Sequence, residues 1–305
     1  MMSSDVQQSF HVEAEIASQP RCWLAAADRT AQVADLLPRP GERVAFVGCG
    51  TSWFISQVVA SLREAAGAGE SDAFTAAEFP YGRVGRLGGY HRVVAVTRSG
   101  TTTEVLELLA RLSGTVPTLA VTADLGTPIV SAADAVVDLS FADEKSVLQT
   151  RFATSVLALF RAQLGHDLAD LAAQATGALA SPLTDGQADC EQITFLGQGW
   201  TVGLANEAAL KFRESSSSWA ESYPAMDYRH GPISIAAPGR IVWCFGPAPA
   251  GLAGQVAETG AEFICNDRDP MADLVVAQRL AVARAIRLGL NPDQPRNLTR
   301  SVVLG

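Results

Sequence analysis

Residues 43–53 read RVAFVGCGTSW, and residues 193–202 read ITFLGQGWTV. Each stretch is a short apolar run that ends in Gly-x-Gly and continues into a pattern with helical spacing. Later runs match at nearly the same offset: VVAV at 93–96 with IVWC at 241–244, and TLAVT at 118–122 with EFIC at 262–265. The repeat predicts two copies of one α/β unit.

Strands that alternate with helices predict parallel sheets joined by right-handed crossovers. The runs VAFV, VVAV and TLAV lack the alternation of half-exposed strands, as expected where helices cover both faces. We therefore predict an α/β protein with two tandem three-layer α/β/α sandwiches. The predicted division is a helical arm over residues 1–37, a first domain over 38–180, and a second domain with a C-terminal tail over 186–305.

The composition argues against several classes of protein. Hydrophobic residues make up 48% and charged residues 18% of the 305 residues, which excludes a disordered chain. The net charge of −9 argues against nucleic-acid binding, which needs a basic surface. The five cysteines have no C-x-x-C spacing, so we expect reduced thiols, no zinc site and a cytoplasmic location. Neither a signal peptide nor a membrane segment is expected.

The turn TRSGTTTE at 97–104 predicts a phosphate site. Four hydroxyl side chains surround its glycine directly ahead of a helix: Ser99, Thr101, Thr102 and Thr103. Backbone N–H groups and the helix dipole favour an anion there. Thr101 and Glu104 also fit a capping box, but capping explains one hydroxyl and not a cluster beside Arg98. The equivalent turn of the second half, FGPAPAG, has no hydroxyl, so one phosphate site per chain is expected.

The sequence Gly48-Cys49-Gly50 is a weak signal for a dinucleotide cofactor. The third glycine of the motif is absent because position 53 is tryptophan, and no acidic residue ends the next strand. We expect no organic cofactor and no metal.

The helix after Gly199 carries Glu207, Lys211 and Glu214, whose spacings of four and three place them on one face. Such a pattern most often marks exposed ion pairs. This helix, however, begins at the sheet edge where ligands bind, and His230 follows it in the turn YRHGP. A solvated face and a proton-transfer site both remain open from the residues alone.

Six motifs in order resemble the sugar isomerase (SIS) family. The likeness is greatest to the isomerase half of glucosamine-6-phosphate synthase and to stand-alone amino-sugar phosphate deaminases, isomerases and deglycases. The motifs are GCGTS at 48–52, TRSGTTTE at 97–104, EKSVLQTR at 144–151, NEAALKFRE at 206–214, YRHGP at 228–232 and NPDQPRNLTRSV at 291–302. The resemblance implies two SIS-type sandwiches, a phosphorylated sugar as substrate, and a homodimer.

The resemblance also implies which residues bind the substrate. These positions are Gly50, Thr51, Ser52, Thr97, Arg98, Ser99, Thr102, Val147, Gln149 and Glu207. Ser52, Ser99 and Thr102 would hold the phosphate, with Arg98 beside them adding a positive charge. Thr51 would contact the sugar. Val147 and Gln149 would line its pocket, in the stretch 144–151, which resembles the loop that closes over the sugar.

The catalytic positions implied by the resemblance are Glu214, His230, Lys211 and Arg300. Glu214 would move a proton between C1 and C2, and His230 would open the sugar ring, coming from the neighbouring subunit as in relatives. Lys211 or Arg300 would stabilise the negative intermediate. Arg300 stands where relatives have a lysine, and an arginine does not readily form a Schiff base, so an imine at that position is disfavoured.

The function expected from these residues is isomerisation or deamination of an amino-sugar phosphate such as glucosamine 6-phosphate, without a cofactor. No glutamine-hydrolysing segment is found in the 305 residues, which favours release of ammonia or plain isomerisation. A fructosamine-6-phosphate deglycase and a non-catalytic sugar-phosphate sensor are the alternatives.

Overall fold

The computed structural model describes residues 9–304. The first eight residues of the predicted helical arm, and Gly305, lie outside this range. Within it the helices are α1 (His11–Ala17), α2 (Gln19–Gln32), α3 (Thr51–Ala65), α4 (Thr103–Leu112), α5 (Ile129–Ala132), α6 (Arg151–Gln163), α7 (Leu168–Leu179), α8 (Asp185–Ala188), α9 (Thr201–Ser216), α10 (Leu252–Glu258) and α11 (Pro270–Arg287). None of these helices is both long and apolar enough to cross a membrane.

The strands form two parallel sheets. The first contains β1 (Val44–Gly48), β2 (Ser71–Thr75), β3 (Arg92–Val96), β4 (Thr118–Thr122) and β5 (Ala135–Asp138), in the order β2-β1-β3-β4-β5. The second contains β6 (Gln192–Gly197), β7 (Ala220–Pro224), β8 (Arg240–Cys244) and β9 (Glu262–Ile264), in the order β7-β6-β8-β9. Every recorded pairing is parallel, so the predicted α/β class with parallel sheets is confirmed.

Three strands at the sheet edges, β2, β5 and β7, were not predicted from the sequence. Their residues are mostly half-buried, whereas β1 and β4 are buried throughout. An edge strand is covered less completely, so its sequence lacks the continuous apolar run by which the central strands are recognised.

Strands β1 and β6 end in glycine because a helix starts immediately above each of them. A Cβ atom on Gly48 would lie 2.6 Å from the carbonyl carbon of Ser52 in α3. A Cβ atom on Gly197 would lie 2.3 Å from the carbonyl carbon of Thr201 in α9. The two helices that begin here therefore emerge from the carboxyl edges of the two sheets.

Helices α3 and α9 pack closely against each other and join the two sheets into one core. A Cβ atom on Gly203 of α9 would lie 2.6 Å from Val58 Cγ2 in α3. Asn206 Nδ2 of α9 also donates a hydrogen bond to Gln57 Oε1 of α3, at 2.8 Å. This contact brings the start of α3 in the first half next to the polar face of α9 in the second.

Candidate active site

The hydroxyl turn, residues 97–103, follows β3 at the carboxyl edge of the first sheet. Gly100 has φ of +63°, and two hydroxyls fix the turn around it. Thr97 Oγ1 accepts from Gly100 N at 3.3 Å, and Ser99 Oγ accepts from Thr101 N at 3.4 Å. Thr102 is the N-terminal cap residue of α4, but its side chain makes no capping bond to the described helix. The alternative of a capping box from Thr101 to Glu104 does not hold, because Thr102 and not Thr101 is the cap residue.

Ser52 lies in the first turn of α3, above β1, which is paired with β3 in the sheet. The carboxyl ends of neighbouring parallel strands meet at one edge, so Ser52 and the hydroxyl turn share it. Within residues 9–304 the hydroxyls of Ser52 and Thr102 have no hydrogen-bond partner. Both hydroxyls are thus left without a described partner at the edge where parallel sheets bind their ligands.

The three charged residues of α9 form a buried cluster rather than a solvated face. Glu207 and Lys211 are almost fully buried, while the Glu214 side chain is 20% exposed. Lys211 Nζ lies 3.6 Å from Glu207 Oε1 and donates a hydrogen bond to Glu214 Oε2. The alternative of exposed surface ion pairs is thereby excluded, because exposed pairs keep their charges in water.

Burial raises the pKa of Glu207 to about 8, although Lys211 and Thr51 act to lower it. Neither carboxyl oxygen of Glu207 finds a hydrogen-bond partner in the described part of the chain. For Lys211, burial lowers the pKa, but the carboxylates of Glu207 and Glu214 outweigh it and raise the pKa. The cluster therefore places Lys211, whose pKa is raised, between the buried Glu207, which keeps its proton to a higher pH than an ordinary carboxyl group, and the partly exposed Glu214.

The two halves meet at this cluster. The hydrogen bond from Asn206 Nδ2 to Gln57 Oε1 joins α9 to α3 at the position next to Glu207. A Cβ atom on Gly50 would lie 3.9 Å from Leu210 Cδ2 of α9. The loop that ends β1 thus lies between the hydroxyl turn of the first half and the charged helix of the second.

Arg98 was expected to add charge beside the phosphate, but its guanidinium contacts protein carbonyls instead. Nη1 donates to Ser146 O at 3.0 Å and to Leu148 O at 3.5 Å, and Nη2 donates to Arg300 O at 3.1 Å. Nη1 also lies 3.8 Å from the buried carboxylate of Glu144. Arg98 therefore connects the hydroxyl turn to two other segments of the chain.

The stretch 144–151, here called the 144–151 loop, closes on itself through Glu144. Glu144 Oε1 accepts from Thr150 N at 2.6 Å, from Thr150 Oγ1 at 2.7 Å and from Arg151 N at 2.9 Å. Burial raises the pKa of Glu144, and Arg98 acts to lower it. The predicted sugar-contacting residues of this loop are Val147, whose N–H donates to Asp293 O at 3.0 Å, and Gln149, whose buried Oε1 has no partner among the described residues.

The C-terminal segment, residues 298–304, lies along the hydroxyl turn. Thr101 Oγ1 donates to Ser301 Oγ at 2.9 Å, Thr103 N donates to Val302 O at 3.2 Å, and Leu304 N donates to Thr103 Oγ1 at 2.9 Å. Arg300 donates to Asp143 Oδ1 at 2.6 Å and to the carbonyl of Glu144. Its guanidinium is thus committed to the 144–151 loop and its flank, not to the charged cluster of α9.

His230 is exposed in the 3₁₀ turn Asp227–His230, which follows β7. Its ring makes no hydrogen bond or ion pair with any residue from 9 to 304. The other predicted residues gather around the carboxyl edge of the first sheet and the face of α9, whereas no described contact joins His230 to them.

Sequence analysis missed the acidic residues that organise the 144–151 loop. Glu144 stands inside a recognised motif, but nothing in its spacing indicates that it is fully buried. Glu15 of α1 accepts from Lys145 N at 2.6 Å and from Ser146 N at 3.3 Å. A contact between positions so far apart in the chain leaves no local signal in one sequence.

Comparison with known proteins finds aminotransferases described as isomerizing among the relatives of this chain. No protein-family model matches the chain. A glutamine–fructose-6-phosphate aminotransferase (isomerizing) from Methanothermobacter thermautotrophicus is 26% identical over 306 residues, which cover 86% of this chain and 52% of that protein. The protein of the same description from Gloeobacter violaceus is 28% identical over 318 residues, with 86% and 52% covered. The chain spans about half the length of these relatives.

Solved structures share the fold along nearly the whole chain. A glucosamine-6-phosphate deaminase from Thermotoga maritima has a TM-score of 0.79 at 22% identity, covering 96% of this chain and 100% of that one. The C-terminal domain of a glucosamine-fructose-6-phosphate aminotransferase from Francisella tularensis has a TM-score of 0.79 at 21% identity, with the same coverage. The resemblance to the SIS family predicted from the sequence is confirmed.

Proposed function

We propose that this chain is a sugar-phosphate isomerase or deaminase that acts on an amino-sugar phosphate such as glucosamine 6-phosphate. The observation that carries the proposal is the buried Glu207–Lys211–Glu214 cluster, which lies against the loop that ends β1. The names of the similar proteins, which include aminotransferases described as isomerizing and a glucosamine-6-phosphate deaminase, support the same class of reaction.

In this proposal the phosphate binds at the carboxyl edge of the first sheet. The hydroxyls of Ser52, Ser99 and Thr102 face it together with the start of α4, where N–H groups and the helix dipole favour an anion. The phosphate is remote from the reacting carbons, so its binding energy fixes their position. The tandem arrangement, with SIS domains over 38–180 and 186–305, belongs to the same proposal and gives one such site per chain.

Proton transfer is assigned to the cluster of α9. Glu214, the most exposed of its members, takes a proton from one of the adjacent carbons C1 and C2 and returns it to the other. Lys211 remains protonated beside it and stabilises the negative charge that develops on the substrate oxygen. Arg300 has no part in this step because Asp143 and a main-chain carbonyl occupy its guanidinium.

Ring opening is assigned to His230, since an imidazole can both donate and accept a proton through its two ring nitrogens. The residue is exposed and stands apart from Glu214 within one chain, so a second subunit of the proposed homodimer supplies it. When C2 of the open sugar carries nitrogen, transfer of the proton from C2 to C1 leaves an imine at C2. Water then hydrolyses this imine to ammonia and a ketose phosphate.

The decisive experiment is an assay of ammonia release from glucosamine 6-phosphate, with hexose phosphates and fructosamine 6-phosphate tested in parallel. We expect turnover of at least one amino-sugar phosphate. Turnover of the fructosamine adduct alone would establish the deglycase instead. Binding of several sugar phosphates without any turnover would establish the sensor, and the enzyme proposal would be abandoned.

The Glu214→Gln variant tests the assignment of the base. It should lose turnover while it binds a sugar phosphate nearly as well as the wild type, because the amide keeps the shape but not the basicity. Glu262→Gln, at an exposed position of the edge strand β9, is the matched control and should keep full activity. Unchanged turnover in Glu214→Gln would remove Glu214 from the mechanism.

A further inference from the structure

Arg98 is the one charged residue of the hydroxyl turn, yet its side chain is turned away from solvent. Its side chain is 1% exposed, and that of Glu144, its ion-pair partner, is fully buried. A buried guanidinium persists only where carbonyls and a counter-charge replace its water shell. Arg98 has both, which makes its contacts part of the fold of the site.

The main chain of Arg98 is fixed independently of its side chain. Its carbonyl accepts hydrogen bonds from Thr122 Oγ1 at 3.3 Å and from Ala123 N at 3.2 Å, both at the end of β4. The guanidinium therefore extends from a rigid point of the sheet. Any segment bonded to it is held at a set position relative to Ser99, the next residue.

Two segments are bonded to it. The 144–151 loop receives two hydrogen bonds through the carbonyls of Ser146 and Leu148, and the C-terminal segment receives one through the carbonyl of Arg300. Arg300 in turn donates to Asp143 and to the Glu144 carbonyl, so the segment and the loop also hold each other. The loop, the segment and the hydroxyl turn all meet at this guanidinium.

We propose that Arg98 is a positioning residue whose guanidinium locks the 144–151 loop and the C-terminal segment onto the hydroxyl turn, so that the walls around the substrate are set as one unit. This role rests on the proposed function for its effect on turnover. It does not require a contact between Arg98 and the phosphate, which the hydroxyls and the start of α4 bind.

The proposal predicts that replacing Arg98 affects turnover much more than it affects phosphate binding. In Arg98→Gln the phosphate-binding hydroxyls remain, so inorganic phosphate should bind nearly as well as to the wild type. The turnover number should fall about 100-fold, because small displacements of the groups around a substrate cost rates of that order. Arg98→Lys should behave like Arg98→Gln, since an ammonium cannot span three carbonyls in the way a planar guanidinium does.

The experiment combines isothermal titration with inorganic phosphate and hydrogen exchange of the peptides that cover 144–151 and 298–304. Both peptides should exchange faster in Arg98→Gln and Arg98→Lys than in the wild type. Arg92→Gln is the matched control, because Arg92 lies at the other end of β3 and pairs with Glu42 at 3.0 Å. It should leave both peptides unchanged.

Loss of phosphate binding by tenfold or more in Arg98→Gln, with unchanged exchange of the two peptides, would show a direct charge contact and overturn the proposal. The exchange measurement needs no substrate, so a wild type that turns over no sugar phosphate would defeat the proposed function alone. Should both variants fail to fold, hydrogen exchange of the wild type alone still tests the proposal. Its loop and C-terminal segment should open with the same free energy, and clearly different values would contradict a common lock.

Discussion

Glu207 is a carboxyl group that the fold places where it cannot meet water. It is fully buried, and burial raises its pKa to about 8 from an ordinary value of 4.5. Below pH 4.5 the Glu207 carboxyl is protonated in both the folded and the unfolded chain, and its contribution to the free energy of unfolding is at its full value. Between pH 4.5 and 8 only the folded chain holds this proton, so that contribution falls as the pH rises, by about 1.4 kcal/mol per pH unit.

The Glu207→Gln variant should lack this slope, because the amide does not titrate. Urea unfolding at intervals from pH 5 to pH 8 should show that the free energy of unfolding of the variant rises steadily relative to that of the wild type. Asp273→Asn is a useful control. Burial raises the pKa of Asp273 to about 6, so the pH dependence of stability that this residue contributes should end near pH 6. Parallel curves for Glu207→Gln and the wild type would mean that Glu207 is ionised in the folded protein.

The hydroxyl turn gives a second prediction at the scale of residues. Replacing Ser99 and Thr102 together by alanine should raise KM for a phosphorylated sugar roughly tenfold to 100-fold, because hydrogen bonds to a charged group are lost. The turnover number should change less than KM. Ser113→Ala, at the exposed far end of α4, should leave KM at the wild-type value. An unaltered KM in the double variant would place the phosphate elsewhere.

The sequence is enough to place Glu207, Lys211 and Glu214 on one face of a helix, because their spacing follows the helical period. Only the structure shows that this face is buried and does not carry exposed surface ion pairs. For Arg98, by contrast, the sequence was not enough. Its charge among hydroxyl residues suggests phosphate binding, but the direction of its long side chain depends on carbonyl partners that lie far away in the chain.

At the scale of elements, the glycines that end β1 and β6 set how closely strand and helix approach. Gly197→Ala should destabilise the protein by about 1–3 kcal/mol, since the added methyl group would meet the main chain of Thr201 and force α9 away from the sheet. Gly177→Ala, inside α7 with open space around it, should instead stabilise by about 0.5–1 kcal/mol. Thermal unfolding of the two variants gives the comparison, and equal effects would contradict it.

The same glycines explain why the central elements were predictable. A buried strand followed by Gly-x-Gly and a helix is a local pattern, and it occurs in both halves. The edge strands β2, β5 and β7 depend on a neighbouring strand for their hydrogen bonds and carry no such pattern. Tertiary pairing, rather than local sequence, decides these three elements.

At the scale of the whole molecule, the two halves contribute different groups to the proposed site. The first sheet carries the hydroxyl turn, and α9 from the second half carries the charged cluster next to Thr51. The repeated pattern predicts two similar units, and the loss of hydroxyls in FGPAPAG predicts that they are unequal. The close packing of α3 on α9 through Gly203 is what the sequence did not reveal, and it brings these groups together.

His230 remains outside this arrangement within one chain, which gives a test of the proposed dimer. If each site combines Glu214 of one chain with His230 of the other, Glu214→Gln and His230→Asn should each be inactive as homodimers. Mixing and refolding them together should restore about a quarter of the wild-type activity, because half of the dimers are mixed and one site in each is intact. A mixture as inactive as its components would show that each chain uses its own His230, and a monomer in solution would exclude the shared site altogether.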